Sequence, residues 1–540
     1  MPPDPLGDIA GVIAEAAPAE PPPPDDRELA DLDRNDYGNA QRLIARFGAD
    51  LIHVDGAGWY VWDGIRWARC NRENSEAIKR THLVAQKIAD EAAALGADVT
   101  AAEIELQRLE AEAEGGMSEP IAAAKARLKA VRERQSAHFK FGISSGNAGK
   151  SRAMLEAAQP YCERPAAALD ADPLLVSVAN GTLELGGPEI RLRPHDRADL
   201  VTQCSPVAYD PEADCPQWHA FLDRILPSAA LQRFVQQLLG YALTGLTGEQ
   251  LMFIFYGSGA NGKSTLVETV ARVLGDYAVS VAVQTFLADD VRRGGDATPD
   301  LARLPGRRLV TAAEPEVGAK LSETMVKTVT GGDRVTARHL FQDLFEFRPC
   351  FKFILLANIK PAIRGQDEGI WRRVKLVPFT QVIPREERDR HLMAKLAAEA
   401  AGILNWLLDG YRMYRETGLQ DPPEVAAATD TYRSESAPIG DFLRACTARV
   451  AGASVQAKRL YAVYCDWAKA NGIEPASGTL FGRRLGDMGY VKQKTGIVHY
   501  RDLELTQDSF GGLDSSSAGG GSTSGPAGAP PPSGIDDYGA

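Results

Sequence analysis

The stretch Gly257-Ser258-Gly259-Ala260-Asn261-Gly262-Lys263-Ser264 narrows the possible folds of this 540-residue chain more than any other segment. Its glycine, four residues, glycine, lysine, serine spacing forms a phosphate-binding loop only between a strand and a helix. The apolar run LMFIFY before it and the amphipathic run TLVETVARVL after it provide both. A surface turn with an incidental lysine is the plain alternative, and that flanking context argues against it.

The residue types suit the chemistry of a dense anion. Backbone N–H groups must turn inward without steric conflict, which glycine at 257 and 262 permits. Lys263 is positioned to place its ammonium on the β- and γ-phosphates and Ser264 its hydroxyl on Mg²⁺, with the dipole of the following helix adding to both. Gly257 through Thr265 therefore form the expected cofactor-binding set, and the expected chemistry is Mg²⁺-dependent hydrolysis of a nucleoside triphosphate. Such a site also needs carboxylates at a neighbouring strand end. RLVTAAEPE offers Glu314 and Glu316 some fifty residues after the loop. FKFILLAN ends an apolar run on Asn358, which would sense the phosphate or align water; a turn asparagine before Pro361 is the ordinary reading. Arg372 and Arg373 follow, either as cations for a phosphoryl group or as a salt-bridged surface pair.

A second stretch, Gly146-Asn147-Ala148-Gly149-Lys150-Ser151, has Ser144 where the first glycine should stand and no strand ahead of it, so it reads as a helix start. Seven scattered cysteines, with no C-x-x-C pair, indicate neither a zinc knuckle nor a disulfide framework and fit a reduced, cytoplasmic setting. No apolar run is long enough to span a bilayer, and the opening MPPDPLGD lacks the features of a secretion signal. The net charge of −12 argues against coating nucleic acid through overall charge, while leaving room for a local basic channel.

The expected architecture is multi-domain α/β: a central P-loop domain, an N-terminal α+β and helical region, and a C-terminal winged helix. Residues 1–30 and 505–540 are too rich in Pro, Gly, Ser or acidic groups to bury a core and read as disordered. Residues 31–165 should hold strands between Asn35 and Trp67, cored by Trp59, Trp62 and Trp67, then a helical insert broken at Gly115-Gly116 and from Gly142 to Gly149. Residues 166–248, with short strands in LLVSVANGTLEL and IRLRP and then a helix from Trp218 to about Thr244, are taken as a helical collar for oligomerisation, and 249–420 as the nucleotide domain. In 436–504, two helices, a third helix and a glycine-containing hairpin suggest a winged helix-turn-helix. Its Arg483, Arg484, Lys492, Lys494 and Arg501 are either a duplex-binding face or solvated surface.

In order and spacing, GSGANGKST, RLVTAAEPE, VKTVTGGDRVTARHLFQDLFEFRPCFKFILLANIKP and IRGQDEGIWRRVKLVPF resemble the superfamily 3 helicases, of the phage and plasmid primase–helicase C-terminal type related to the poxvirus primase-helicase NTPase. The resemblance covers roughly residues 250–380, with weaker similarity on the N-terminal side. It implies an AAA+-like ATPase that uses ATP and Mg²⁺, forms a homo-hexameric ring and moves 3′ to 5′ along single-stranded or forked DNA. Carried over by position, it makes Gly257–Thr265 Walker A, Glu314 (or Glu316) Walker B and metal partner of Ser264, Asn358 sensor 1, and Arg372 or Arg373 a finger acting on a neighbour. It also implies a DNA-gripping hairpin between Glu316 and Asn358, with Lys327, Arg334, Arg338 and His339 as contacts; Phe345 and Phe347, two apart, read better as core. No primase metal triad or zinc-binding cysteine set stands out in the first 200 residues, so priming would fall to a separate protein. The competing functional readings are an ATP-controlled DNA-binding or loading switch without unwinding, and a defence or packaging ATPase built on the same core.

Overall fold

In the computed structural model the chain forms two compact units, residues 1–433 and 434–540. The structure describes residues 24–112, 119–288, 298–316, 319–338, 344–363, 368–435, 438–471, 473 and 475–506.

Five strands form one fully parallel sheet in the order Val374–Pro378, Met252–Tyr256, Lys352–Ala357, Leu309–Ala313, Ala278–Ser280. The chain's first strand of this sheet, Met252–Tyr256, thus lies between its fourth and its fifth. Successive side chains of a strand point to opposite faces, and here each face has its own core. Phe253, Phe255, Leu309, Ile354 and Val377 enter one apolar cluster. Met252, Ile254, Val310, Ala312, Phe353, Leu355, Val374 and Leu376 enter the other. Burial on both sides explains why these strands read as continuous apolar runs with no alternation.

Within residues 166–248 the expected short strands form an antiparallel sheet of Leu175–Val178, Gly181–Glu184 and Arg191–Arg193, and the expected helical stretch is two helices, Pro216–Ile225 and Ala229–Tyr241. Val176, Leu183, Trp218, Phe234 and Leu238 share a core with Phe253, Leu266, Ile403 and Leu407, so the segment covers one face of the parallel sheet. Helix Ala229–Tyr241 crosses helix Ala400–Thr417 at backbone contact. A Cβ on Gly240 would lie 2.2 Å from the Tyr411 nitrogen, and one on Gly410 would lie 2.1 Å from the Gln236 carbonyl oxygen.

Nearer the N-terminus, two expectations shift. Residues 1–23 and 507–540 lie outside the described residues, but Asp26–Leu29 is helical with Leu29 and Ala30 buried, so the expected disordered segment does not extend to residue 30. The Arg42 guanidinium holds the chain here by donating to the carbonyls of Leu29, Leu32 and Asp33. Asp36–Phe47 is a helix capped by Asn35, and the strands begin only at Leu51. Strands Leu51–Val54, Gly58–Trp62 and Trp67–Arg69 form an antiparallel sheet in which Trp59, Trp62 and Trp67 are buried.

Helices Ser75–Ala94, Gly96–Glu112, Glu119–Ser145 and Ala148–Cys162 follow. The break expected between Gly142 and Gly149 falls at Gly146-Asn147; Gly142 itself stays helical as a contact point, where a Cβ would lie 3.1 Å from Ile88. Buried Glu91 joins this bundle by accepting from Arg42 Nε at 2.8 Å and Arg46 Nη2 at 3.0 Å, with His138 Nε2 at 2.9 Å.

The second unit contains helix Pro438–Cys446, strand Ser454–Gln456, helices Ala457–Ala470 and Gly478–Asp487, and the antiparallel hairpin Lys492–Thr495 with Ile497–Arg501. Strand Ile497–Arg501 is central to its three-stranded sheet, and Phe442, Tyr464, Phe481, Leu485 and Tyr500 fill the core. Helix, strand, helix, helix, hairpin is the order of a winged helix-turn-helix.

The glycine crossing gives a direct test. Gly410→Val forces two backbones apart, and overpacking of this kind costs about 3 kcal/mol. Urea unfolding of the full chain should show the transition of the first unit at lower denaturant while the second unit's transition stays in place.

Candidate functional site

The loop after strand Met252–Tyr256 opens at the carboxyl edge of the sheet, where open parallel sheets bind ligands. Its shape depends on two glycines. Gly257 is backed against the Phe379 carbonyl, which a Cβ would approach to 2.1 Å. Gly262 has φ +82°, and a Cβ there would lie 2.5 Å from Ile225 of helix Pro216–Ile225. The segment after strand Val374–Pro378 holds the other side: Asn261 Nδ2 donates to the Phe379 carbonyl at 3.3 Å and the Ile383 N–H to the Ala260 carbonyl at 2.8 Å. Ser258, Gly259 and Ala260 remain exposed between these anchors.

Lys263 opens the helix Lys263–Leu274 and is only 4% exposed. Its Nζ donates to the Gly257 carbonyl at 2.7 Å, Asn261 Oδ1 at 3.0 Å and Asn358 Oδ1 at 3.1 Å. All three acceptors are neutral, and burial lowers the lysine pKa. A buried cation with neutral partners favours an incoming anion, because the anion restores the charge balance that burial disturbs. Ser264 follows with an exposed side chain, and Thr265 is half-buried.

Strand Lys352–Ala357 lies between the loop strand and strand Leu309–Ala313, so its end carries Asn358 to Lys263. One strand further, Glu314 continues the ladder, its N–H donating to the Leu356 carbonyl at 2.9 Å. Glu314 is exposed and adopts φ +57°, a left-handed conformation that costs a non-glycine residue about 1–2 kcal/mol. Glu316 is also exposed, beyond buried Pro315. Loop, asparagine and carboxylates therefore share one edge, and these residues suit a polyphosphate and its cation: free backbone N–H groups, a charge-hungry lysine, an exposed hydroxyl and carboxylates close by.

Arg372 and Arg373 are not part of that edge. They precede strand Val374–Pro378, and Val374 pairs with Met252, so they sit at the opposite end of the strands from the loop, about 16 Å away at 3.3 Å per residue. Arg373 Nη1 donates to Gln250 Oε1 at 2.9 Å. Burial and the adjacent Arg372 lower its pKa, and Asp333 opposes them.

The hairpin expected between Glu316 and Asn358 is formed by Val335–Arg338 and Leu344–Phe347. Val335 and Ala337 are buried, and Phe345 and Phe347 pack on the same core, while Arg334 and Leu344 are exposed. Arg334 reaches across to Glu346 at 3.2 Å. Lys327 and Arg338 are half-buried; His339 lies outside the described residues. In the second unit Arg483 is exposed and Arg484 half-buried on the third helix. Lys492 on the hairpin lies with Nζ 5.7 Å from the Tyr500 ring centroid; the side chain of Lys494 lies outside the described residues. The look-alike loop at Gly146 is a helix-to-helix turn with Asn147 at the N-cap position, and its Lys150 pairs with Asp36 at 2.9 Å.

Sequence reasoning missed the supports of the loop: Ile225 beneath Gly262, and Phe379 and Ile383 beside Gly257 and Ala260. No motif announces them, since each acts through backbone or an aliphatic side chain.

Fold and loop define a parallel-sheet protein with a phosphate-binding loop. Residues 40–227 match the family described as "D5 N terminal like", and residues 255–373 match a family of unknown function, DUF5906. A protein of Acanthamoeba polyphaga mimivirus named "Putative helicase L207/L206" is 30% identical over 324 residues, covering 56% of this chain and 34% of its own length. "Putative helicase 022R" of Frog virus 3 (isolate Goorha) is 26% identical, over 47% of this chain and 28% of its own. "Putative primase C962R" of African swine fever virus (isolate Tick/Malawi/Lil 20-1/1983) is 27% identical, over 38% of this chain and 22% of its own. Residues 40–227 thus match a D5 N-terminal-like domain, and the similar viral proteins are named as putative helicases and primases. The matched region of this chain spans between 22% and 34% of the length of each of these relatives.

The geometry predicts how the loop lysine responds to ligand. At a Mg²⁺–nucleotide concentration a hundred times Kd, a protein whose folded state alone binds gains about 2.7 kcal/mol. Thermal unfolding of the wild type should therefore shift upward by a few degrees, and Lys263→Ala should show no shift at that concentration. Asn358→Ala should retain part of the shift, since the asparagine contacts the lysine and not the loop backbone.

Proposed function

We propose that the chain is the motor region of an ATP-dependent, Mg²⁺-requiring DNA helicase used in replication, with an AAA+-like core of the superfamily 3 type. In this reading ATP supplies the phosphoanhydride bond whose cleavage drives movement, and Mg²⁺ neutralises the phosphate charge. The exposed N–H groups of Ser258 to Ala260, with Gly262 and the helix start, hold the phosphates. Lys263 exchanges neutral acceptors for an anionic one, and Ser264 with Glu314 holds the cation. Glu316 lies on the same edge as a second carboxylate. Asn358 then has a role that follows from its position: any change in the ammonium's partner is felt on the strand between the loop and Glu314.

The observation that carries the proposal is the separation of Lys263 from Arg372 and Arg373. Within one chain the arginines are at the wrong end of the sheet to meet the phosphates, so a site that uses one must take it from a neighbouring copy. A homo-hexameric ring, with ATP hydrolysed at subunit interfaces, satisfies that need. Lys327, Arg334 and Arg338 would contact single-stranded DNA inside the ring, along which the chain moves in the 3′-to-5′ direction that the resemblance implies. Arg483, Arg484, Lys492 and Lys494 would meet duplex at a fork through phosphate contacts. A separate primase would complete the replication machinery.

Forked-DNA unwinding by the purified chain tests this reading. Lys263→Ala and Arg373→Ala should each abolish unwinding, and an equal mixture should recover part of the ATPase, because a wild-type loop can then meet a wild-type arginine across an interface. Hydrolysis without stimulation by single-stranded DNA, together with no unwinding, would overturn the helicase reading in favour of an ATP-controlled binding switch.

A further inference from the structure

A second group of metal-ligating side chains lies away from the loop, where helix Pro216–Ile225 begins. Asp214, Cys215 and His219 each offer a ligand atom, and these atoms all lie within 4.8 Å of one another. Cys215 Sγ is 4.0 Å from His219 Nδ1, one helical turn on. Cys215 is only 2% exposed, whereas Asp214 and His219 are exposed, so the group has a buried end and an open end.

The local structure frees these groups for a ligand. Cys215 occupies the N-cap position, where Ser, Thr, Asp or Asn would satisfy the first N–H groups of the helix. Its side chain makes no capping bond. Glu399, in the turn before helix Ala400–Thr417, does that work, its two carboxylate oxygens each accepting at 3.0 Å from the Gln217 and Trp218 N–H groups. Asp214 uses one oxygen, Oδ1, to accept from the Cys215 N–H at 2.7 Å.

The backbone that carries the donors is also fixed. Asn405 Nδ2 donates to the carbonyls of Asp210 at 2.8 Å and Ala213 at 3.0 Å. Gly402 comes so close that a Cβ there would lie 2.3 Å from the Asp214 carbonyl oxygen.

We propose that Asp214, Cys215 and His219 bind one borderline-soft divalent cation of the zinc class. Thiolate with imidazole selects such ions over Mg²⁺ and Ca²⁺, which prefer all-oxygen sites. Bonds of about 2.3 Å to sulfur and 2.0 Å to nitrogen place tetrahedral ligands about 3.6 Å apart, so a small side-chain adjustment closes the 4.0 Å gap. Coordination releases the Cys215 thiol proton to solvent and uses His219 neutral. Three protein ligands leave a fourth position to water. The cation fastens the start of the helix whose last residue, Ile225, supports Gly262, and the site is independent of the helicase reading.

Titration of the chelator-stripped full chain with Co²⁺ alone tests it. One equivalent should bring up an intense near-ultraviolet sulfur-to-cobalt band and visible bands of tetrahedral cobalt, both removed by one equivalent of Zn²⁺. Cys215→Ser should abolish the ultraviolet band, and His219→Ala, an exposed change that leaves the core intact, should weaken Co²⁺ binding at least tenfold. Cys446→Ser, in the other unit, should change neither. The sulfur band separates this site from hard-metal binding at Ser264 and Glu314. No sulfur band in the wild type, or a band that survives both Cys215→Ser and His219→Ala, overturns the proposal.

Discussion

A parallel sheet must be covered on both faces, and most of the first unit follows from that requirement. Strand Met252–Tyr256 sends Phe253 and Phe255 to one core and Met252 and Ile254 to the other, so neither face can meet water without exposing large apolar groups. One face is covered by helices that flank it in sequence on both sides, Ala229–Tyr241 and Ala400–Thr417, crossing at Gly240 and Gly410. The other is covered by Phe286, Val326, Val329 and Tyr432 with their neighbours. Covering the faces leaves the carboxyl edge free, and the loop, Asn358 and Glu314 emerge there.

The loop itself is electrostatically uneasy. Desolvating an ammonium among three neutral oxygens disfavours its charge, and a protein tolerates that cost where a ligand relieves it. The left-handed backbone at Glu314 points the same way, since a residue held off its preferred conformation at a strand end is over-determined by what surrounds it. Both tensions sit within two strands of each other, joined by Asn358.

Much of the loop edge was legible because it depends on local pattern. The strand and helix around the loop fall at Met252–Tyr256 and Lys263–Leu274, where apolar run and amphipathic period place them. Asn358 could be read from its place after an apolar strand, and its contact with Lys263 comes from strand order, which no local pattern encodes. The position of Arg372 and Arg373 likewise had to wait for the register of Val374 against Met252. The short strands of residues 166–248 were legible too, but their packing was not, because the helix Ala229–Tyr241 finds its partners some 170 residues later. The break expected between Gly142 and Gly149 falls at Gly146-Asn147, while Gly142 itself lets two helices touch.

The shared core also bears on how such a chain can be inherited. The two family matches end and begin at residues 227 and 255, which makes them look like modules joined end to end. Yet Val176, Trp218 and Phe221 lie against the same apolar surface as Phe255, Leu266 and Val377. A genetic exchange that cut between the matches would bring together two halves of one interior, each shaped by a different history. Only partners with complementary surfaces would fold, so the halves are bound to diversify together, whereas residues beyond Arg433, with their own core, are free to be exchanged.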